Sequence, residues 1–238
     1  MNYVKFYVFC IWSIFCFNSI LSATAQDAEI QKIIKLLDYT KGKNGYSGKD
    51  FDAGYQTHDL GDKVIIGQRD TKKRIDKIPY DFNGKTVLDI GTNQGGMLFA
   101  ISDKIKHGIG IDYNPKLINV ANKIKSFSKQ TNLDFYVFDL DKEPLALINN
   151  YLLTSKVDIC FFLAMCRWVK KWKKVIDQIY KISDIMVFET NGSEELREEE
   201  IKYINRKYKK VTLLSTESDD DKLVIYNKMR FLYICYKK

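Results

Sequence analysis

Three short apolar runs in this chain each end on a carboxylate, and the first of them runs into a bend almost free of side chains. The first run reads Val87-Leu88-Asp89-Ile90-Gly91-Thr92-Asn93-Gln94-Gly95-Gly96-Met97. A hydrophobic strand that stops abruptly and feeds a helix needs glycines where the backbone must turn and approach a ligand closely, and Gly91 and Gly95 meet that need. Asn93 occupies the position of the second glycine in a dinucleotide-binding loop, and Asn adopts left-handed backbone more readily than most residues. The second run, Gly108-Ile109-Gly110-Ile111-Asp112, places Asp112 21 residues after Gly91. That matches the separation of about 20 at which an acid receives ribose hydroxyls in doubly wound folds. The third, Phe135 to Phe138, ends at Asp139-Leu140, where a side-chain acceptor and the next backbone N–H suit the edge of an adenine. Each acid also has a purely local use: Asp89 as a cap, Asp112 as a cap for the helix starting near Pro115, and Asp139 interchangeable with Asp141.

A fourth apolar run, Val157 to Leu163, delivers Ala164-Met165-Cys166-Arg167-Trp168 to the same rim. Arg167 suits an anionic acceptor and Trp168 a flat apolar wall, against the alternative of a solvated Arg and a core Trp. Met165 and Tyr113, which follows Asp112, are counted with the nucleoside-binding residues. Glu189, closing the fifth run, is the first candidate for acid–base chemistry, although a carboxylate ahead of a turn also satisfies backbone donors. His58 lies in a glycine-rich loop and titrates near neutrality, which suits a general base, while a single loop histidine is commonly an ordinary surface residue.

The elements that must position these groups alternate. Runs at Thr86 to Ile90, Gly108 to Ile111, Phe135 to Phe138, Val157 to Leu163 and Ile185 to Phe188 lack polar alternation, as strands buried on both faces do. Helical stretches lie between them at Met97 to Ile105, Pro115 to Phe127, Trp168 to Ile182 and Ser193 to Tyr208. Strands separated by helices in this order form a parallel sheet with right-handed crossovers. Lys210 to Leu214 and Met229 to Tyr236 read as two directly joined strands. The expected class is therefore α/β: a doubly wound, mainly parallel Rossmann-like sheet with an antiparallel last strand and a helical N-terminal cap. Within that cap, Ile30, Ile33, Ile34 and Leu37 repeat at helical spacing, Lys41 to Gly61 is glycine-rich loop, and Gln68 to Ile78 forms a charged helix ended by Pro79. The expected divisions are 1–25, 26–80 and 81–238.

Over roughly Gly84 to Glu189 the chain resembles the class I S-adenosylmethionine-dependent methyltransferases. The resemblance implies that Asp89, Gly91, Asn93 and Gly95 form the loop around the methionine part of S-adenosylmethionine, with Asp112 on the ribose hydroxyls and Asp139 and Leu140 beside the adenine. Asn93 departs from the commonest loop, although Asp-Ile-Gly-x-Asn-x-Gly is a familiar variant, including among some RNA-modifying members. The fourth strand end lacks the Asn/Asp-Pro-Pro-aromatic signature of enzymes that methylate exocyclic amino groups. Gly67-Gln68-Arg69-Asp70 is similar to a short lead-in of some transfer-RNA wobble-uridine modifying relatives. Two other function classes share some of these residues: a nicotinamide-dependent oxidoreductase, against which Asp89 and Asn93 argue, and a non-catalytic nucleoside-binding module.

Composition bounds the rest. The chain has 238 residues, 45% of them hydrophobic and 29% charged, with only 3 Pro, which excludes disordered, collagenous and mainly membrane-embedded classes. The net charge of +8 biases the surface toward anions. Arg167, Lys170, Lys171, Lys173 and Lys174, interleaved with Trp168 and Trp172, offer a patch for RNA or another polyanion, weighed against a solvated helix face. A small molecule or RNA is the expected acceptor, with no DNA partner. Lys5, the apolar run Phe6 to Leu21 and the small residues Ser22 to Ala25 read as a secretory leader. The alternative is a retained anchor, with membrane association through residues 4–21, and a cytoplasmic location is the competing expectation because the cofactor is a cytosolic metabolite. Outside the leader, Cys160, Cys166 and Cys235 show no paired spacing, so neither a disulfide framework nor a metal site is expected.

Overall fold

The computed structural model describes residues 26–41, 50–61, 63–152, 154–217 and 229–238; the expected leader lies outside these residues. Helix α1 (26–40) is followed by a small antiparallel pair, β1 (His58–Asp59) and β2 (Val64–Ile65), and by a short helix α2 (Thr71–Asp76). The alternating part then runs β3 (Thr86–Ile90), α3 (Gly96–Phe99), β4 (His107–Asp112), α4 (Pro115–Phe127), β5 (Leu133–Val137), a 3-10 turn (Leu145–Tyr151), β6 (Val157–Leu163), α5 (Trp172–Ile182), β7 (Ser183–Glu189), α6 (Glu194–Lys207), β8 (Lys210–Ser215) and β9 (Leu232–Tyr236).

Seven strands form one sheet in the order β5-β4-β3-β6-β7-β9-β8. The first five in that order pair in parallel, and β9 pairs antiparallel with both of its neighbours. Two crossings outward from β3, one toward β5 and one toward β7, make β3 the point where the winding reverses. Ligands in such sheets bind outside the carboxyl ends of the strands at that point. The register sets Asp89 opposite Gly110 and Phe161, and Leu163 opposite Glu189.

Strand residues alternate between two cores because successive side chains point to opposite faces. Leu88, Ile90, Ile109, Ile111, Cys160, Phe162 and Phe188 pack toward α5 and α6, whereas Val87, Phe135, Ile159, Phe161 and Val187 pack toward α2, α3 and α4. A third cluster joins Ile30, Ile33 and Leu37 of α1 to Val120 and Ile124 of α4 and to Ala53, Leu60 and Ile65. Helix α1 is thus packed against α4. Helix ends obey local chemistry. Asn114 caps α4 by accepting from Lys116 N, with Pro115 in the first turn, and Ser193 caps α6 ahead of Glu194 and Glu195.

Several boundaries differ from the sequence reading. Helix α2 is shorter than Gln68 to Ile78 because Arg69 is drawn into extended pairing with Gln56, and Asp70 then caps the helix. Helix α3 ends after one turn, and α5 starts at Trp172 because residues 164–171 form the loop at the rim. The β1–β2 pair replaces part of the expected glycine-rich loop. Among the described residues no helix is long and apolar enough to cross a membrane.

Candidate functional site

The bend after β3 is built as its glycines demand. Gly91 and Gly95 have φ of +79° and +82°, and Asn93 has φ of +57°, all left-handed backbone that costs an ordinary L-residue roughly 1–2 kcal/mol. A side chain at Gly91 would also collide with Met165, whose sulfur would lie 2.3 Å from the added carbon, so Met165 overlies the bend. Gly91 N and Thr92 N both donate to Ile111 O, tying the bend to the end of β4.

Asp112 closes β4 at 8% exposure. One carboxylate oxygen accepts from Asn93 N at 3.0 Å and the other from Asn114 N at 2.9 Å. The acid therefore orients the bend and the start of α4 at once, and each oxygen keeps a lone pair for a hydroxyl donor. Burial raises its pKa against these backbone donors. Tyr113 stands beside it, 66% exposed.

Asp89 lies beneath the bend, fully enclosed, with its Oδ2 lacking a hydrogen-bond partner among the described residues. Burial pushes its pKa up to about 7, moderated by Thr92 and Arg74. An enclosed acceptor of this kind suits an ammonium group. The donors of the bend are partly spent on the protein itself: Gln56 Oε1 accepts from Gln94 N at 3.1 Å and Gly96 N at 3.0 Å, and Gln94 in turn donates to Thr40 and Ala53. Gln94 N and Gly96 N are thus turned toward Gln56 and not outward from the bend.

Asp139 and Leu140, expected beside an adenine, lie in the turn that follows β5. Asp139 accepts from Asp141 N and Lys142 N and pairs with Lys142, which holds its carboxyl below the usual range. Leu140 is buried in the core. Asp141 accepts from Lys170 N and Lys171 N, fastening the turn after β5 to the loop after β6.

On the other side of β3, the loop 164–168 is held from beneath. Ala164 has φ of +58°, Asn191 donates to Ala164 O at 2.6 Å and accepts from Arg167 N at 2.9 Å, and Asn191 N donates to Glu200, a buried acid of α6. Burial raises the Glu200 carboxyl to about 8. This leaves Arg167 exposed, its guanidinium 5.5 Å from the ring centre of Trp168, which is itself 65% exposed. Neither is core.

Two catalytic candidates are relocated. Glu189 is enclosed and ion-paired to Arg69 at 3.2 Å, Arg74 at 2.5 Å and Arg230 at 3.7 Å. These guanidinium groups outweigh burial and hold its pKa at about 2, so it is a fixed anion and a poor proton acceptor at neutral pH. His58 is buried in β1 against Phe99 and Gln94 Oε1, and burial lowers its pKa to about 4. It lines a broad groove of about 1370 Å³ with Asp59, Val64, Gly96 and Phe99, and its environment keeps the ring neutral. Sequence reasoning missed Gln56, Arg74, Asn191, Glu200 and Arg230; only Arg69 had a signal, through Gly67-Gln68-Arg69-Asp70.

No curated protein matched the chain in sequence. A family model described as a methyltransferase domain matches residues 81–228. Among solved structures, the YcgJ protein from Bacillus subtilis is 13% identical at a TM-score of 0.55, over 71% of this chain and 97% of YcgJ. The N-terminal domain of EvdMO1, crystallised with SAH and D-fucose, is 10% identical at 0.56, over 71% of this chain and 83% of that domain. WbdD, a bifunctional kinase-methyltransferase, is 16% identical at 0.56 over 72% of this chain, which spans only 40% of WbdD. These likenesses show a shared fold, and together with the family match they support neither the oxidoreductase nor the non-catalytic module. With strand order, winding reversal and family match in agreement, the chain belongs to the methyltransferase-domain family and is a class I S-adenosylmethionine-dependent methyltransferase.

Proposed function

We propose that the bend 91–95 and the ends of β3 and β4 hold S-adenosylmethionine, and that an acceptor sits on the loop 164–168 and receives its methyl group. The observation that carries this reading is Asp112, at the end of β4, gripping Asn93 N of the bend. A ribose-binding acid and a close-approach loop are thereby fixed as one unit. In this reading Asp112 takes the ribose hydroxyls, Gly91 and Met165 flank the methionine part, Asp89 faces its ammonium, and Tyr113 lies along the exposed rim. When bound, the cofactor supplies an electrophilic methyl carbon on a positively charged sulfur.

Methyl transfer from such a centre is an in-line displacement, so alignment is the protein's main contribution. Asn191 and Glu200 serve it by fixing the backbone of 164–167, and Arg167 and Trp168 offer the acceptor a cation and a flat face. With Glu189 held as an anion by its arginines and His58 packed against Phe99, proton removal by either is set aside in favour of release to solvent. The acceptor is a small molecule or RNA, the latter drawing on Lys170, Lys171, Lys173 and Lys174; DNA is not proposed. Export or tethering through residues 1–25 belongs to the same proposal, and fractionation with sequencing of the mature N-terminus tests it.

Calorimetry is the first experiment: adenosylhomocysteine binds the wild type, NAD does not, and Asp112→Ala weakens the former. A screen with methyl-labelled cofactor across RNA, protein, lipid and small-molecule fractions then identifies the acceptor. No transfer to any fraction despite tight binding would overturn the catalytic reading.

A further inference from the structure

Three guanidinium groups from distant parts of the chain converge on one carboxylate at the carboxyl edge of the sheet. Arg69 is placed by its own backbone, donating to Tyr55 O and accepting from Thr57 N. Arg74 is placed by the Asp70-capped helix α2. Arg230 is placed by reciprocal bonds between Thr190 and Phe231, at 3.0 Å and 2.9 Å, that lead into β9. Their side chains are 2%, 5% and 12% exposed, and that of Glu189 is 3% exposed.

Among the described residues Glu189 is the carboxylate ion-paired to these guanidinium groups, and burying guanidinium charge is costly unless anions join it. The hydrogen bonds of Arg74 and Arg230 leave donors over. Arg74 Nε is buried with no hydrogen-bond partner among the described residues, and Arg230 Nη1 makes only the long 3.7 Å contact with Glu189. Arginine donors in a fixed fork match carboxylate and phosphate oxygens. The phenol of Tyr55, 3.3 Å from Arg69 Nη1, feels the same field: the three arginines draw its pKa below the ordinary value in spite of burial.

Position in the sheet indicates whose anion this is. The order β4-β3-β6-β7 places Glu189 two strands beyond the bend, roughly 10 Å at ordinary strand spacing, and on the side away from Asp112. That is the acceptor's side. We infer that Arg74 and Arg230, held by Glu189 and Arg69, form an oxyanion subsite that takes a carboxylate or phosphate group of the methyl acceptor. This rests on the methyl-transfer reading for the acceptor's identity, whereas anion binding itself does not.

Inorganic phosphate is the probe, titrated into the full chain against chloride at equal ionic strength, with binding read by calorimetry and by melting temperature. Phosphate binds and raises the melting temperature, Arg74→Gln and Arg230→Gln each weaken it at least tenfold, and Arg230→Lys stays within about threefold. Phosphate acting no differently from chloride, or binding both glutamine variants as tightly as wild type, overturns the subsite. Arg230→Gln alone decides this if Arg74→Gln does not fold. Adenosylhomocysteine and 5′-methylthioadenosine, which lacks the amino-acid tail, locate the anion. If the glutamine variants lose adenosylhomocysteine tenfold yet keep methylthioadenosine, the carboxylate is the cofactor's own and the acceptor assignment falls. If adenosylhomocysteine never binds wild type while phosphate does, it is the methyl-transfer reading that fails.

Discussion

Asp89 and Glu189 are both enclosed carboxylates near strand ends, yet their surroundings drive them in opposite directions. Asp89 has one oxygen with no partner and is pushed up to about 7, while Glu189 faces three guanidinium groups and is held at about 2. Equal burial therefore does not set the charge; the neighbours do. Around Asp89 burial outweighs Thr92 and Arg74, as suits the cationic ligand proposed above, whereas around Glu189 three guanidinium groups outweigh burial, as suits the proposed anion.

The largest test of this contrast is Glu189→Gln. Removing the carboxylate that these buried guanidinium groups share takes away their ion-pair partner, and a loss of about 3–5 kcal/mol in urea unfolding is expected. A loss under 1 kcal/mol would mean the arginines reach solvent and the two halves are alike. Next is Asp112→Ala, which removes charged hydrogen bonds worth about 1.5–3 kcal/mol each and should weaken adenosylhomocysteine some ten- to a hundredfold by calorimetry, with Asp112→Asn in between. Gly91→Ala should follow, since it meets both left-handed backbone and Met165; unfolding should show a cost of roughly 1–2 kcal/mol.

Acidity sharpens the comparison further. The raised pKa of Asp89 means its native form keeps a proton the unfolded chain has lost. Its contribution falls as pH rises from about 4 to about 7 and is flat above. Glu189 has the opposite sign: its contribution is complete above about 4.5 and is lost as pH falls toward about 2. Melting curves of Asp89→Asn against wild type should diverge across the first window, and a constant difference would contradict the raised value. The smallest effect on stability is expected for Trp168→Ala, within about 0.5 kcal/mol because the ring is exposed, while turnover with the acceptor drops.

The strands and α4 were legible because their signals are local. Thr86–Ile90, Val157–Leu163 and Pro115–Phe127 follow from apolar runs, a bend, and a proline after a capping Asn. The place of Asp112 at the end of β4 was legible too, through the apolar run before it. What was not legible depends on partners far apart in sequence. Glu189 reads as a free carboxylate until Arg69, 120 residues earlier, is brought against it. His58 reads as a titrating loop residue until Phe99 and Gln94 close around it. Pattern places the carboxylates at the rim, and only packing decides which of them is still available.

The insertion of β9 between β7 and β8 has a consequence for assembly. The strand that follows β8 in the chain is an inner strand, so β8 has no neighbour to join until Leu232–Tyr236 has arrived. During synthesis the β3–β5 half can zip together early from near-neighbour crossovers, whereas the arginine-lined half must wait for the stretch that carries β9 and its slow, long-range closure. A nascent chain halted before Arg230 would thus own Asp89, Asp112 and the bend between them without the completed arginine cluster.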